Sequence, residues 1–133
     1  MRRVLDLVGK PFQDGGRGPD AYDCVGLVKE VYKRYGLDFP DYVGCCYDIE
    51  KFDSEFKAAL PFWVRHDEPD IPVPAIVAIR FNAPVVNHVG VYLGDGKFIH
   101  TREKTGVVIE LMRSLAWRHR IEGIYTCPSL LQF

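Results

Sequence analysis

The chain has 133 residues, of which 47% are hydrophobic and 26% charged, and its formal net charge is -1. This composition predicts a single globular domain over residues 1–133 with one sizeable hydrophobic core. The near-neutral charge argues against a nucleic-acid-binding protein, and no apolar run reaches the roughly 20 residues that a membrane-spanning helix needs. We therefore expect neither nucleic acid nor membrane insertion.

The N-terminal stretch MRRVLDLVGKPF carries two arginines, and Asp6 interrupts its short apolar run. This pattern differs from that of a secretory signal peptide. We expect a protein that is made in the cytoplasm and that leaves it, if at all, on a carrier such as a phage particle or a secretion machine.

Local sequence patterns change from helical to strand-like near the middle of the chain. Helices followed by sequential strands with short turns indicate an α+β fold, in which N-terminal helices pack on one face of a mainly antiparallel sheet of five or six strands. The predicted elements are, in chain order, a short helix over 2–10, an ordered loop over 11–23, helices over 24–35 and 49–63 with the second broken near Pro61, strands over 75–81, 87–93, 97–101 and 106–112, a short helix or irregular crossing over 113–120, and a strand over 121–127.

The helix over 24–35 places a cysteine at its N-terminus. Asp23 is suited to cap the helix, and Gly36 is suited to end it in a left-handed conformation. Cys24 then lies in the first turn, where backbone N–H groups have no helical partner and the helix dipole is positive. Cys24 is either a buried small residue or a nucleophile activated by this position.

The other cysteines do not form a recognisable scaffold. Cys45, Cys46 and Cys127 lack the C-x-x-C spacing of structural zinc sites and the paired spacing of a secreted disulfide framework. A disulfide between the adjacent Cys45 and Cys46 is a second interpretation beside two separate thiols.

The segment NHVGVYLGDGKFIHT predicts a β-hairpin that carries two histidines. A two-residue loop at 95–96 would point His88 and His100 to opposite faces of the sheet. A three-residue loop at 94–96 would place Gly90 opposite His100 and both histidines on one face. The glycine that ends the longer loop favours it, because that position prefers the left-handed region. We expect the helix that begins at Cys24 to cover the face with the histidines.

A cysteine at a helix N-terminus with two nearby histidines is suited to acyl chemistry. Cys24 would attack a carbonyl carbon, and its backbone N–H would donate to the developing oxyanion. His88 would pair with the thiolate and protonate the leaving amine, His100 would orient His88, and water would cleave the thioester. A structural role for the histidines is the alternative, and we interpret His66 and His119 as surface or loop residues.

Three stretches carry a resemblance to a known family: GKPFQDGGRGPDAYDCVGLVKEVYKRYGLDFP, HVGVYLGDGKFIHT and the closing W…R…G-I-Y. They resemble the NlpC/p60-type cell-wall peptidases, which are papain-like cysteine peptidases. The resemblance implies a papain-like fold, a triad of Cys24, His88 and His100, and no metal or other cofactor. It implies peptidoglycan stem peptides as the substrate, with cleavage between D-γ-glutamate and a diamino acid.

Two short sequences, DCVGLV within the first stretch and LDFPDY at its end, resemble small family members associated with phage tails, which makes phage tail proteins candidate partners. The chain departs from the family at Phe12, where a tyrosine hydroxyl often assists at the oxyanion or thiolate. Gln13 is a candidate replacement, and Asp23 is a further candidate at this substrate and oxyanion site, although it is better suited to the cap. Val25 replaces a common serine.

Phe12 also supports a second interpretation, in which the chain is a weakly active or inactive structural or binding module of a phage tail. A third is related thiol chemistry, such as acyl transfer or deamidation. Arg102, which follows the His100 strand, is either a ligand for a substrate carboxylate or an exposed strand-end arginine.

Overall fold

The computed structural model describes residues 1–40 and 48–127, so the question of a disulfide between Cys45 and Cys46 lies outside the described residues. Two helices precede six strands, and the predicted α+β class is confirmed. The elements are α1 (Cys24–Arg34), α2 (Ile49–Ala59), β1 (Val64–His66), β2 (Ala75–Ile79), β3 (His88–Gly94), β4 (Lys97–Arg102), β5 (Gly106–Leu111) and β6 (Ile121–Thr126).

The six strands form one sheet in the order β1-β6-β2-β3-β4-β5, and every neighbouring pair is antiparallel. Strands β2 to β6 lie close to the predicted ranges. Strand β1 was not predicted, because it has only three residues, and the first two are exposed. It extends the sheet at one edge by pairing with β6.

Two predicted helices are shorter in the structure. The segment 2–10 contains only a 3-10 turn at Leu5–Leu7, and it then leaves the helical path at Gly9, whose φ is 94°. The predicted helix 49–63 is α-helical only to Ala59 and continues as a 3-10 turn over Leu60–Phe62, which contains Pro61. The stretch 113–120 is a series of turns that buries Trp117.

The sheet separates two hydrophobic clusters. Helix α1 packs on β3 and β4, and its Leu27, Val28 and Val31 belong to the same cluster as Val89 and Val91 of β3. The second cluster lies on the opposite face of the sheet, where strand residues pack with Trp117 and Met112. Its members are Ala75, Val77, Ile79, Tyr92, Phe98, Met112, Trp117 and Ile124.

The histidine face of the sheet is the one that Trp117 covers. Side chains alternate along a strand, so His88 shares the face of Tyr92, whereas Val89 points toward α1. The ring of His100 lies 4.6 Å from the ring of Trp117, centroid to centroid. Our expectation that the Cys24 helix covers this face is therefore wrong, because side-chain alternation points Val89 and Val91, and not the histidines, toward α1.

None of the helices within the described ranges has the length and apolar character that crossing a membrane requires.

Candidate active site

The N-terminus of α1 is held by a buried carboxylate. Asp23 caps the helix, as predicted, by accepting a hydrogen bond from the backbone N–H of Gly26 at 2.7 Å. The same side chain accepts from the backbone N–H of Gly15 at 3.2 Å and from Nη1 of Arg17 at 2.7 Å. These donors compensate the burial of the charge and tie the 13–17 loop to the start of the helix.

Cys24 is the first residue of α1. Its thiol is reduced and its side chain is 2% exposed. It follows the cap directly, so it lies at the positive end of the helix dipole. Cys127, the other thiol in the described residues, is also buried, and desolvation raises its pKa to about 12. The two thiols therefore differ in their position relative to a helix end.

A segment of extended chain connects this helix start to the far edge of the sheet. The N–H of Gly9 donates to the carbonyl of Val107 in β5 at 2.9 Å, and the N–H of Val107 donates to the carbonyl of Lys10 at 2.9 Å. Three residues later the N–H of Gln13 donates to the carbonyl of Tyr22 at 3.2 Å. The segment thus runs from β5 to the residue pair that precedes Cys24.

His88 and Phe12 line one cleft of about 350 Å³. Phe12 comes from the extended segment just described, where it forms a bridge with Tyr22. The cleft is lined by Phe12, Phe81, Asn82, Asn87, His88, Thr101, Arg102, Glu103 and Lys104. The loop that leads into Cys24 and the strand that begins at His88 therefore meet at the same opening.

The hairpin register brings the two histidines into contact. Val91 pairs with Ile99, which places Gly90 opposite His100, the register that was predicted. The predicted three-residue loop is wrong, because β3 includes Gly94 and β4 begins at Lys97, which leaves a two-residue loop at 95–96. A bulge between Tyr92 and Gly94 produces this register, and Gly94 itself pairs with Lys97. Both histidines lie on one face, and the prediction of a shared face is confirmed.

His88 and His100 are joined by a hydrogen bond between buried rings. Nε2 of His88 lies 2.8 Å from Nδ1 of His100, and the rings are 5.1 Å apart at an angle of 71°. Gly90 makes room for this pair, because a Cβ there would lie 2.7 Å from the carbonyl oxygen of Ile99 and 3.1 Å from Cβ of His100. The contact leaves Nδ1 of His88 as the second nitrogen of that ring.

Both imidazoles are kept neutral by their surroundings. Burial lowers the pKa of His88, and the positive charge of Arg102 lowers it further. Burial also lowers the pKa of His100, followed by His88 and then by Arg102. At neutral pH one hydrogen therefore lies between the two rings, and its position depends on which tautomers they adopt.

The remaining candidate residues occupy different places. The side chain of Gln13 is exposed and is not among the cleft-lining residues, so the structure does not bring it to His88. His119 is exposed, but His66 lies in β1 and its Nε2 is 2.7 Å from Oγ1 of Thr126. His66 is therefore a partly exposed residue of an edge strand rather than a loop residue, because β1 was not predicted.

Sequence reasoning missed the aromatic wall of the site. Phe81 stacks on Trp117 with ring centres 5.8 Å apart and lies 6.4 Å from the ring of His88. The guanidinium of Arg102 lies over the Phe81 ring. Trp117 stands in a stretch without helical or strand periodicity, so only its size and apolar character hinted at burial.

Within residues 1–40 and 48–127, no group of three or more His, Cys, Asp or Glu side chains is arranged to hold a metal ion.

Similar proteins share both sequence and fold with this chain. It is 26% identical over 116 residues to the probable endopeptidase p60 of Listeria innocua, covering 87% of this chain and 22% of that protein. It is 23% identical over 121 residues to the murein DD-endopeptidase MepS/murein LD-carboxypeptidase of Escherichia coli, covering 90% of this chain and 57% of that protein. The chain thus spans about a fifth of the first relative and just over half of the second.

Solved structures extend the comparison to the fold. NlpC1 from Trichomonas vaginalis superposes with a TM-score of 0.67 and 26% identity, over 94% of this chain and 42% of that one. A NlpC/P60 family protein from Bacillus cereus superposes with a TM-score of 0.66 and 21% identity, over 91% of this chain and 36% of that one. The sequence profile of the NlpC/P60 family matches residues 9–61 and 76–126. The chain therefore belongs to the NlpC/P60 family, which its sequence motifs also resemble.

Proposed function

We propose that the protein is a cysteine peptidase that hydrolyses amide bonds in the stem peptides of bacterial peptidoglycan. The observation that carries the proposal is the hydrogen bond between His88 and His100. His88 lines a cleft that is also lined by Phe12, which belongs to the loop before Cys24. The names of the relatives, an endopeptidase and a murein endopeptidase, support this class of substrate.

The proposed reaction uses Cys24, His88 and His100 in a fixed order. His88 accepts the thiol proton at Nδ1, and the sulfur of Cys24 attacks the amide carbon. The backbone N–H of Cys24 stabilises the oxyanion, and His88 returns the proton to the departing amine. Water, deprotonated by His88, then attacks the thioester, which releases the acid and restores the thiol. His100 holds the His88 ring in orientation throughout.

Two cations of the cleft, beside the acidic Glu103, are suited to a carboxylate of a stem peptide. These cations are Arg102 and Lys104, which line the cleft with His88. A peptide bond formed through the γ-carboxyl of glutamate leaves the α-carboxylate of that residue free, and a guanidinium is a strong partner for a carboxylate. We propose the bond between D-γ-glutamate and a diamino acid as the one that is cut, with amide cleavage elsewhere in the wall as the competing outcome.

The carrier is a separate part of the proposal. The DCVGLV and LDFPDY stretches support a small enzyme carried on a phage tail, which would deliver it to the cell wall. Mass spectrometry of purified tails tests this part, and absence of the chain from tails would leave secretion as the alternative.

Digestion of purified cell wall tests the activity. Wild type should release stem-peptide fragments whose masses identify the bond, and Cys24→Ala should release none. Cys127→Ala is the matched control, because it removes the other buried thiol of the described residues and should leave cleavage unchanged. Folded wild-type protein that leaves several wall chemotypes intact would favour the inactive binding module.

Alkylation tests the nucleophile without a substrate. Iodoacetamide at pH 6 should modify Cys24 selectively if its position lowers the thiol pKa, because only the thiolate reacts. Cys127, whose pKa burial raises to about 12, is the internal reference. Equal and slow modification of both sites would contradict an activated Cys24.

A further inference from the structure

Glu110 of β5 lies beside the histidine pair, on the side away from the cleft residue His88. Its Oε2 is 3.7 Å from Nε2 of His100, and the same carboxylate accepts a hydrogen bond from Nε1 of Trp117. Trp117 also packs against the ring of His100. The indole thus holds the carboxylate next to the imidazole.

The nitrogen that faces Glu110 has no hydrogen-bond partner among the described residues. His100 is fully buried, and its Nε2 is without such a partner, whereas its Nδ1 contacts His88. A distance of 3.7 Å exceeds a normal hydrogen bond, so Glu110 acts on this nitrogen mainly through its charge. His100 is fully buried and the side chain of Glu110 is 31% exposed, so solvent screens this interaction only in part.

Two arrangements of hydrogen atoms are available to a neutral pair of rings. In the first, Nε2–H of His88 donates to Nδ1 of His100, and the hydrogen of His100 is on Nε2, facing Glu110. In the second, Nδ1–H of His100 donates to His88, and a lone pair on Nε2 faces the carboxylate. The first arrangement points the positive end of the His100 N–H dipole at the carboxylate of Glu110. The second points the lone pair of Nε2 at the same carboxylate, which is unfavourable.

We propose that Glu110 is a positioning residue that selects the first arrangement and thereby leaves the lone pair of His88 Nδ1 free to receive the proton of Cys24. The inference rests on the proposed function, since it assigns Glu110 a task in that reaction. The second arrangement would place a hydrogen on His88 Nδ1 and prevent the ring from acting as a base.

The other charge that faces the histidines is compatible with this role. Arg102, at the end of β4, acts on both rings and favours their neutral forms. Burial, with a smaller contribution from Arg102, therefore keeps the rings uncharged, and Glu110 determines which nitrogens carry the hydrogens. Carboxylates that orient an imidazole act in this way in other catalytic sites.

The first test reads the hydrogens directly and needs no substrate. Nitrogen-15 NMR of histidine-labelled protein distinguishes Nδ1–H from Nε2–H rings, and wild type should show Nε2–H for His88 and His100. Glu110→Gln should shift the pair toward the second arrangement, because it removes the negative charge that faces Nε2 of His100. Glu50→Gln, at an exposed position of α2, is the matched control and should not change the spectrum.

The second test measures cleavage of a stem peptide. Glu110→Gln should lower kcat by about 10-fold or more with little change in KM, and Glu110→Asp should recover part of the loss. Urea unfolding of each variant separates this effect from a loss of folded protein. Unchanged ring tautomers in both Glu110→Gln and Glu110→Ala would overturn the inference.

The two tests separate this inference from the proposed function. If wild type cuts no stem peptide but Glu110→Gln still moves the ring hydrogens, the peptidase assignment fails and the control of tautomers by Glu110 stands. If wild type cuts the peptide and Glu110→Gln changes neither the tautomers nor kcat, the assignment stands and the role of Glu110 fails.

Discussion

The guanidinium carbon of Arg102 lies 4.5 Å from the centre of the Phe81 ring. The guanidinium carbon of Arg120 lies 4.9 Å from the same ring centre, and Phe81 stacks on Trp117. One aromatic ring therefore contacts two cations at the edge of the cleft. Nε of Arg102 is buried and has no hydrogen-bond partner among the described residues. An aromatic platform that fixes a cation in this way prepares it for an anionic ligand.

Replacement of Arg102 should weaken substrate binding more than catalysis. Arg102→Gln should raise KM about 10-fold for a stem peptide with a free glutamate α-carboxylate, because a charge-assisted hydrogen bond contributes about 1.5–3 kcal/mol. The α-carboxamide form of the peptide should be much less sensitive. Arg118→Gln, at an exposed arginine that bonds His119, is the control. An equal effect on both peptides would contradict carboxylate binding.

The approach of the 13–17 loop to α1 should not tolerate a side chain at Gly26. A Cβ on Gly26 would lie 2.0 Å from the carbonyl oxygen of Gly16, so the loop or the helix must move. Gly26→Ala should lower the free energy of unfolding by about 1–3 kcal/mol, measured by urea denaturation. Lys33→Ala, on the exposed side of α1, should change it little. Equal stability of Gly26→Ala and wild type would refute the close contact.

Local chemistry explains which features the sequence predicted. Asp23 caps α1, and Gly36 follows its end with a φ of 77°, because caps depend on a few adjacent residues. The hairpin register was also predicted correctly, but the loop has two residues rather than three, and a bulge between Tyr92 and Gly94 supplies the extra residue. The shared face of His88 and His100 was therefore predicted correctly, although the bulge that produces it was not foreseen.

Long-range packing explains what the sequence did not reveal. Which face of the sheet α1 covers depends on the whole arrangement, and the strands around His88 are buried on both faces, so their pattern does not distinguish the two sides. Glu110 contacts Trp117 only because a turn-rich segment folds back on β5. Neither partner has a local signal for that contact.

Acid should destabilise the folded chain through the two buried histidines. Their pKa values are lowered in the folded state, whereas the unfolded chain binds protons near the ordinary value of 6.5. Below about pH 6.5 the unfolded state therefore binds more protons, and the free energy of unfolding falls as pH decreases, by up to about 1.4 kcal/mol per pH unit for each histidine.

Urea denaturation between pH 7 and pH 5 measures this dependence. His100→Asn should reduce the slope by about half, because one of the two groups is removed. His119→Asn, at an exposed position, should leave the slope as in wild type. A slope that is the same in wild type and His100→Asn would exclude His100 as a source of the pH dependence.

Asp23 should affect stability rather than chemistry. Asp23→Ala removes the acceptor for Gly26, Gly15 and Arg17 and should cost about 1–2 kcal/mol or more, while Asp23→Asn retains the cap and should cost less. Asp48→Ala removes the exposed cap of α2 and is the comparison. Cleavage per folded molecule should persist in Asp23→Asn. A folded Asp23→Asn variant without activity would instead assign Asp23 to the reaction.

Phe12 offers a position at which activity should be gained. Its ring lines the cleft beside His88, but it carries no hydroxyl to donate to a developing oxyanion. Phe12→Tyr adds one donor with little change in size, and a donor aimed at an oxyanion is often worth 100-fold or more. Because the residues around position 12 did not evolve to orient a hydroxyl, we expect a smaller gain of about 10-fold in kcat, measured on the stem peptide. Phe12→Leu, which removes the ring without adding a donor, should not increase kcat. If Phe12→Tyr folds normally and lowers kcat or leaves it unchanged, then the oxyanion is stabilised by the backbone N–H groups at the start of α1 without help from this position.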